Sequence, residues 1–254
     1  MTLVSQRNLL ITAGVLLAGL LASPTTANTA DTFQSSVKAL EWRNIGPFNG
    51  GRGSSVVGHP TDRNVFWFGH SSGGLWKTDD AGAYWMPVGQ GQFRYASVGA
   101  IALHEKNPDI MYVGLGEPQM RQSASWGDGV YKTTDGGATW EHLGLDEARQ
   151  ISQIIIHPDN PDHVYVSSMG RAWGPSPERG VFRTKDGGKT WEKVLFKNDL
   201  TGTIDMVMSP KDPNVLFAAM WTFERKAWGA FFGGPDGGLW KSTDGGDKWT
   251  EITG

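Results

Sequence analysis

Four aspartates recur along this 254-residue chain, Asp80, Asp135, Asp186 and Asp244, at intervals of 55, 51 and 58 residues. Each sits in a near-copy of one octapeptide: Thr78-Asp79-Asp80-Ala81-Gly82-Ala83-Tyr84-Trp85, Thr133-Thr134-Asp135-Gly136-Gly137-Ala138-Thr139-Trp140, Thr184-Lys185-Asp186-Gly187-Gly188-Lys189-Thr190-Trp191 and Ser242-Thr243-Asp244-Gly245-Gly246-Asp247-Lys248-Trp249. A recurring carboxylate can join a cation-binding cluster, calcium above all, or staple the turn that carries it. The neighbours favour the staple. Glycine supplies the positive φ of a tight hairpin, and Ser/Thr and Asp side chains satisfy turn backbone groups that no strand reaches. The closing Trp85, Trp140, Trp191 and Trp249 are placed to cover those turns. The first box departs, with Ala81 for Gly and Tyr84 for Thr, and a looser turn is expected there.

A second set of groups lies outside the repeat. Glu117 and Asp128 share one stretch, and two carboxylates flanking a glycosidic bond, roughly 5 to 9.5 Å apart, are the minimum for most glycoside hydrolysis. They are the nearest candidates for that chemistry, on sequence proximity alone. Three long segments, Glu117 to Gly129, Gly170 to Gly180 and Trp221 to Gly238, hold Trp126, Trp173, Trp221 and Trp228 with Arg121, Arg171, Glu178, Arg179, Glu224 and Arg225. Rigid aromatic faces beside charged groups suit a sugar or a peptide. The expected ligand contacts are Trp126, Trp173, Arg179, Trp228, Glu117 and Arg171; the alternative is packing of these loops on one another or on further blades. His59, His104 and His157 recur where one strand gives way to a turn, which reads as turn geometry and not as metal ligation. His70 stands alone, with no second ligand in sequence reach. No metal or cofactor is implied.

The elements that position these residues repeat as well. Upstream of each box lies an alternating tetrad, Leu75-Trp76-Lys77-Thr78, Val130-Tyr131-Lys132-Thr133, Val181-Phe182-Arg183-Thr184 and Leu239-Trp240-Lys241-Ser242, which is one strand in four copies. Before it come two more strand-like runs separated by a polar, Pro-containing turn, the second carrying Trp67, Tyr112, Tyr165 and Phe217 in one column. The unit reads strand A, turn, strand B, long loop, strand C, Asp box, strand D, and four antiparallel strands per repeat make a propeller blade. An all-β propeller of about four blades is predicted, over about residues 41–90, 91–145, 146–196 and 197–254. Antiparallel alternation puts the A–B turns and Asp boxes on one face and the B–C and D–A loops on the other. Trp67, Trp76, Trp85, Trp140, Trp191, Trp240 and Trp249 fall in repeat columns and are expected in the core.

Composition agrees: 35 Gly and 12 Trp with 19% charged residues favour short strands and tight turns. With a net charge of −3 and no cluster of Lys and Arg, a grip on nucleic-acid phosphates is not expected. Cysteine is absent, which excludes disulfides, thiolate zinc sites and thiol nucleophiles. Residues 1–30 carry Arg7, an apolar run from Leu9 to Ala22 and small residues through Ala30, the layout of a cleaved secretory signal, followed by a linker over 31–40. Cleavage leaves 22 basic against 26 acidic residues, a mature charge of −4, on a secreted or periplasmic protein with no membrane attachment.

The boxes resemble the bacterial-neuraminidase, or Asp-box, repeat of sialidases, sortilin-type receptors and xyloglucan-specific endoglucanases. Trp42-Arg43-Asn44-Ile45-Gly46-Pro47 with Gly50-Gly51-Arg52, Gly180-Val181-Phe182-Arg183-Thr184 and Trp191-Glu192-Lys193-Val194-Leu195 are more narrowly similar to exported bacterial proteins with sortilin-like N-terminal propeller domains, often labelled glycosyl hydrolases. The resemblance covers about residues 38 to 254 and implies a propeller. The xyloglucan-specific enzymes place a catalytic Asp two residues ahead of a Gly-Gly in the first blade, where this chain has Ser71 ahead of Gly73-Gly74. Sialidases need an arginine triad and a Tyr nucleophile, whereas Tyr84, Tyr95, Tyr112, Tyr131 and Tyr165 sit mainly in strand columns, a box or a D–A loop. Three expectations follow: a binding or scaffolding propeller for a peptide, protein or glycan; a glycoside hydrolase with catalytic residues partly outside this chain; and a structural segment of a larger exported protein. The group's larger propellers imply further blades C-terminal to residue 254.

Overall fold

The computed structural model describes residues 37, 38, 40 and 52–252. The expected signal over 1–30 and the opening motif from Trp42 to Gly51 lie outside the described residues. The chain divides into two units, Met1–Asn44 and Ile45–Gly254. In the first, Val37 and Lys38 are helical and the Leu40 N–H donates to the Val37 carbonyl at 3.2 Å.

The second unit is built of four antiparallel sheets. The first holds β1 (Gly53–Gly58), β2 (Phe66–His70), β3 (Gly74–Thr78) and β4 (Met86–Val88) in that spatial order. The second holds β5 (Val98–Leu103), β6 (Met111–Leu115), β7 (Val130–Thr133) and β8 (Glu141–His142). The third holds β9 (Ile151–His157), β10 (Asn160–Ser168), β11 (Gly180–Thr184) and β12 (Glu192–Leu195). The fourth holds β13 (Thr201–Met208), β14 (Leu216–Lys226), β16 (Gly238–Ser242) and β17 (Thr250–Glu251), with β15 (Gly229–Phe232) paired to the far end of β14. Among the described residues of this unit the helical structure is one 3-10 turn, Asp146–Ala148. The four-strand unit is thus realised four times. The fourth B–C segment departs from the expected loop, because its first half extends strand B and folds back as a hairpin.

The blades meet at their first strands, with β1, β5, β9 and β13 adjacent in that order. Close approach there depends on small residues. Ser54 Oγ donates across to the Val98 carbonyl at 2.5 Å, and Ser152 Oγ to the Thr203 carbonyl at 2.7 Å. A Cβ at Gly99 would lie 2.2 Å from both the Gly116 and Ile151 carbonyl oxygens, so only glycine fits.

Both faces of an interior blade are covered, so its strands are apolar on successive residues rather than alternating. Trp67, Leu75, Met111 and Tyr131 pack between the first and second sheets. Tyr112, Ile154, Val164 and Phe182 pack between the second and third, and Tyr165, Met206 and Leu216 between the third and fourth. The strand-B aromatic column has a cationic counterpart directly opposite on strand C: Trp67 with Lys77, Tyr112 with Lys132, Tyr165 with Arg183 and Phe217 with Lys241. The three ammonium groups lie 5.3 to 5.6 Å from the ring centroids, within cation–π range. Arg183 instead reaches the fourth blade, donating to the Gly245 carbonyl at 2.7 Å and pairing with Asp247 at 2.5 Å.

Candidate functional site

All four boxes carry the same hydrogen bonds. In the second, Thr133 Oγ1 donates to Asp135 Oδ1 at 2.6 Å and accepts from the Gly137 N–H at 3.0 Å, while the same Asp oxygen accepts from the Thr139 N–H at 2.9 Å. The equivalent contacts recur around Asp80, Asp186 and Asp244 at 2.7 to 2.9 Å. These donors hold the carboxylates below their usual pKa range: chiefly the Thr133 hydroxyl at Asp135, the Thr190 hydroxyl at Asp186, which sits at about 2, and backbone N–H groups at Asp80 and Asp244. Each carboxylate is spent on its own turn. The first box is no looser than the rest, because Ala81 adopts φ 60°, matching Gly136 at φ 71°.

The residue after each box aspartate bonds back to the A–B turn: Ala81, Gly136, Gly187 and Gly245 N–H groups donate to the carbonyls of Asn64, Asp109, Asp162 and Asn214 at 2.9 to 3.0 Å. That places box and A–B turn at one end of every blade. The recurring histidines serve the same turns. His59 Nδ1 accepts from the Asp62 N–H at 2.9 Å and His157 Nδ1 from the Asp159 N–H at 3.2 Å. His104 Nε2 instead contacts the Pro158 carbonyl of the next blade at 3.2 Å. His70 is buried edge-on against Phe68, with ring centroids 4.4 Å apart. Among the described residues no group of His, Asp and Glu could hold a metal ion.

The B–C and D–A loops occupy the opposite end, and there the predicted contacts divide. Trp126, Trp173 and Trp228 are 45%, 39% and 82% exposed. Trp228 caps the β14–β15 hairpin, and Arg149 lies 5.2 Å over one face of Trp126. Trp221 belongs to β14 itself and stacks on Phe223 and Phe232. Arg171 is exposed, with its Nε donating to the Pro175 carbonyl at 2.7 Å.

Two of the expected ligand contacts are internal instead. Arg179 is fully buried and donates to the carbonyls of Leu200, Phe223 and Arg171 at 2.7, 2.9 and 3.1 Å. Burial brings its pKa down to about 10, so it stays cationic and clasps three loop segments. Glu117 is also fully buried, with both oxygens taken by Arg52 at 2.7 and 2.6 Å. Asp128 is buried and accepts from the Tyr131 hydroxyl at 3.0 Å. The candidate acid–base pair is therefore held inside the protein by its own neighbours. Ser71 is buried too, its Oγ donating to the Arg52 carbonyl at 3.1 Å. With Ser97, Ser125 and Trp126 it lines a cleft of about 290 Å³ that has no carboxylate in its wall.

A larger cleft on the same face was not legible from spacing. The second-blade loop and the fourth-blade hairpin bring Arg121 and Arg225 together with Arg52 around about 580 Å³ of open space. The hairpin is fixed by the Phe223 and Arg225 N–H groups, which donate to the Leu200 and Ala172 carbonyls at 2.9 and 3.0 Å.

Comparison with known proteins agrees with this architecture. A probable oligoxyloglucan-reducing end-specific xyloglucanase of Neosartorya fischeri is 23% identical over 254 residues, covering 94% of this chain and 27% of that protein. A xyloglucanase of a Paenibacillus species is 25% identical over 255 residues, covering 89% and 23%. The chain thus spans about a quarter of the length of these curated relatives. A crystal structure of an ancestral GH74 enzyme superposes with a TM-score of 0.63 at 23% identity, over 85% of this chain and 26% of that one, which shows a shared fold. Residues 128–254 match the family model described as "Sortilin, neurotensin receptor 3", Sortilin-Vps10. With its Asp-box blades and half its length within that match, the chain belongs to the Sortilin-Vps10 family.

Proposed function

We propose that this chain is part of an exported protein that binds a glycan on its B–C loop face without cleaving it. The observation that carries the reading is the exposure of Trp126, Trp173 and Trp228 on long loops at one end of the blades, whereas among the repeat-column tryptophans expected in the core Trp67 is buried and Trp76, Trp85, Trp140, Trp191, Trp240 and Trp249 are half-buried. Exposed indoles on rigid supports offer flat apolar faces of the kind a sugar ring covers. The relatives are named xyloglucanases, which supports a polysaccharide over a peptide as the ligand class.

Hydrolysis is the second reading, favoured by those same names. Against it, Ser71 stands where the resemblance implies a catalytic Asp, and Glu117 and Asp128 are both engaged internally. On this second reading the catalytic groups lie partly outside this chain. Calorimetric titration of the full chain with xyloglucan oligosaccharides, alongside an assay for new reducing ends, separates the two. Binding with no new reducing ends is expected; their appearance establishes the second reading, and failure to bind any neutral or acidic oligosaccharide overturns both.

A further inference from the structure

The 580 Å³ cleft between the segment preceding β1, the second-blade loop and the β14–β15 hairpin is lined by Arg52, Arg121, Gln122, Ser123, Arg225 and Phe232 among others, with no Asp or Glu. Its charge is not cancelled internally. Glu117 neutralises Arg52, but neither Arg121 nor Arg225 has an ion-pair partner among the described residues. Glu224, beside Arg225 on the other side of the strand, is taken by Lys226 at 2.7 Å. Arg225 Nε is buried with no acceptor among the described residues, and an unanswered buried donor costs free energy until something accepts from it.

Arg121, on the second-blade loop, and Arg225, on β14, both line the cleft, and guanidinium donor forks match a planar carboxylate bidentately. Beside them Phe232 is 57% exposed, and its ring is backed by Trp221 at 5.7 Å and an interplanar angle of 12°. A flat ring next to a carboxylate receptor fits a pyranose that carries its own acid group.

We infer that this cleft binds a uronic-acid unit of an acidic glycan, with Arg121 and Arg225 on the carboxylate and Phe232 against the sugar ring. The inference rests on the glycan-binding reading and adds the charge class of the sugar.

The test titrates the full chain with an oligogalacturonide and with a neutral oligosaccharide of equal length. The acidic chain is expected to bind about tenfold more tightly or better, and its affinity to fall as salt is raised. Arg225→Gln and Arg121→Gln should each weaken the acidic ligand about tenfold while neutral binding and the melting temperature hold. Arg225→Lys, which keeps the charge and loses the fork, should recover only part of the loss. Equal affinity for both oligosaccharides, or acidic binding indifferent to both arginine changes, overturns the inference and leaves glycan binding standing. Binding of neither overturns the broader reading with it.

Discussion

The Arg52 guanidinium grips the Glu117 carboxylate through two parallel hydrogen bonds, 2.7 Å from Nε to Oε1 and 2.6 Å from Nη2 to Oε2. The contact ties the segment before β1 to the B–C loop of the second blade. Glu117 has no exposed surface, whereas the Arg52 side chain is 41% exposed, so among the described residues the carboxylate has this one partner for compensation.

Glu117→Gln should therefore act on stability and not on chemistry. The amide cannot accept at both oxygen positions and leaves one Arg52 donor facing an N–H₂ group. A melting temperature several degrees lower is expected, with glycan affinity of the folded protein unchanged. Loss of affinity at an unaltered melting temperature would return Glu117 to the ligand site.

The Asp boxes predict a second outcome. Thr133 is buried, and its hydroxyl serves Asp135 and the Gly137 N–H at once. Thr133→Val keeps the shape and removes both bonds, at a cost of about 1–3 kcal/mol. Urea unfolding measures it, and the neighbouring exposed Thr134→Val is the control expected to change nothing.

The first box offers a gain. Ala81 holds the left-handed conformation that glycine occupies in the other three boxes, which for an L-residue costs roughly 1–2 kcal/mol. Part of that is offset by the greater freedom glycine would have in the unfolded chain. Ala81→Gly is expected to stabilise by up to about 1 kcal/mol; destabilisation in the same urea assay would show that the Ala methyl packs favourably.

Acid should destabilise the protein in two separate ranges. Burial, and then the charge of His157, hold His163 down to about 4 from 6.5. Folding thus favours the neutral ring, and that contribution is complete above pH 6.5 and lost as pH falls toward 4. Asp186 is held down to about 2 from 3.8, first by the Thr190 hydroxyl. Its contribution is complete above the higher value and lost as pH falls toward the lower. Melting temperature followed from pH 8 to 2 should show both declines, His163→Gln flattening the upper and Thr190→Val reducing the lower.

The blades were legible because repetition amplifies a weak strand signal. One alternating tetrad is ambiguous, but Leu75 to Thr78 and its three copies, each followed by a box, fix strand C and the direction of every blade. The loop end was legible only as a place. Loop charges have no repeat column to reveal their partners, so Arg179 and Glu117 looked like contacts although both close internal loops. The meeting of Arg121 with Arg225 depends on the β14–β15 hairpin, and the Trp221 to Gly238 segment does not read as a hairpin because Arg225-Lys226-Ala227-Trp228-Gly229 lacks a strong turn dipeptide.

The loop tryptophans carry the most direct test of which face works. Trp228 stands at the tip of the fourth-blade hairpin and Trp173 on the third-blade B–C loop, and neither is needed to complete a sheet. Truncating an aromatic anchor in a binding surface costs on the order of 1–3 kcal/mol, so Trp173→Ala and Trp228→Ala should each weaken oligosaccharide binding at least several-fold. Because both side chains are exposed, little stability is lost and far-ultraviolet circular dichroism should be unchanged. Trp126→Ala is expected to have the smaller effect, since Arg149 already occupies one of its faces. The controls are His59→Ala and Asp162→Ala at the turn-bearing end, where His59 Nδ1 accepts turn N–H groups and Asp162 pairs with Lys132 at 2.8 Å. Both should lower the melting temperature modestly and leave affinity alone. If the turn-face changes abolish binding while the three tryptophan variants retain it, the ligand sits on the Asp-box face and the B–C loops are only supports.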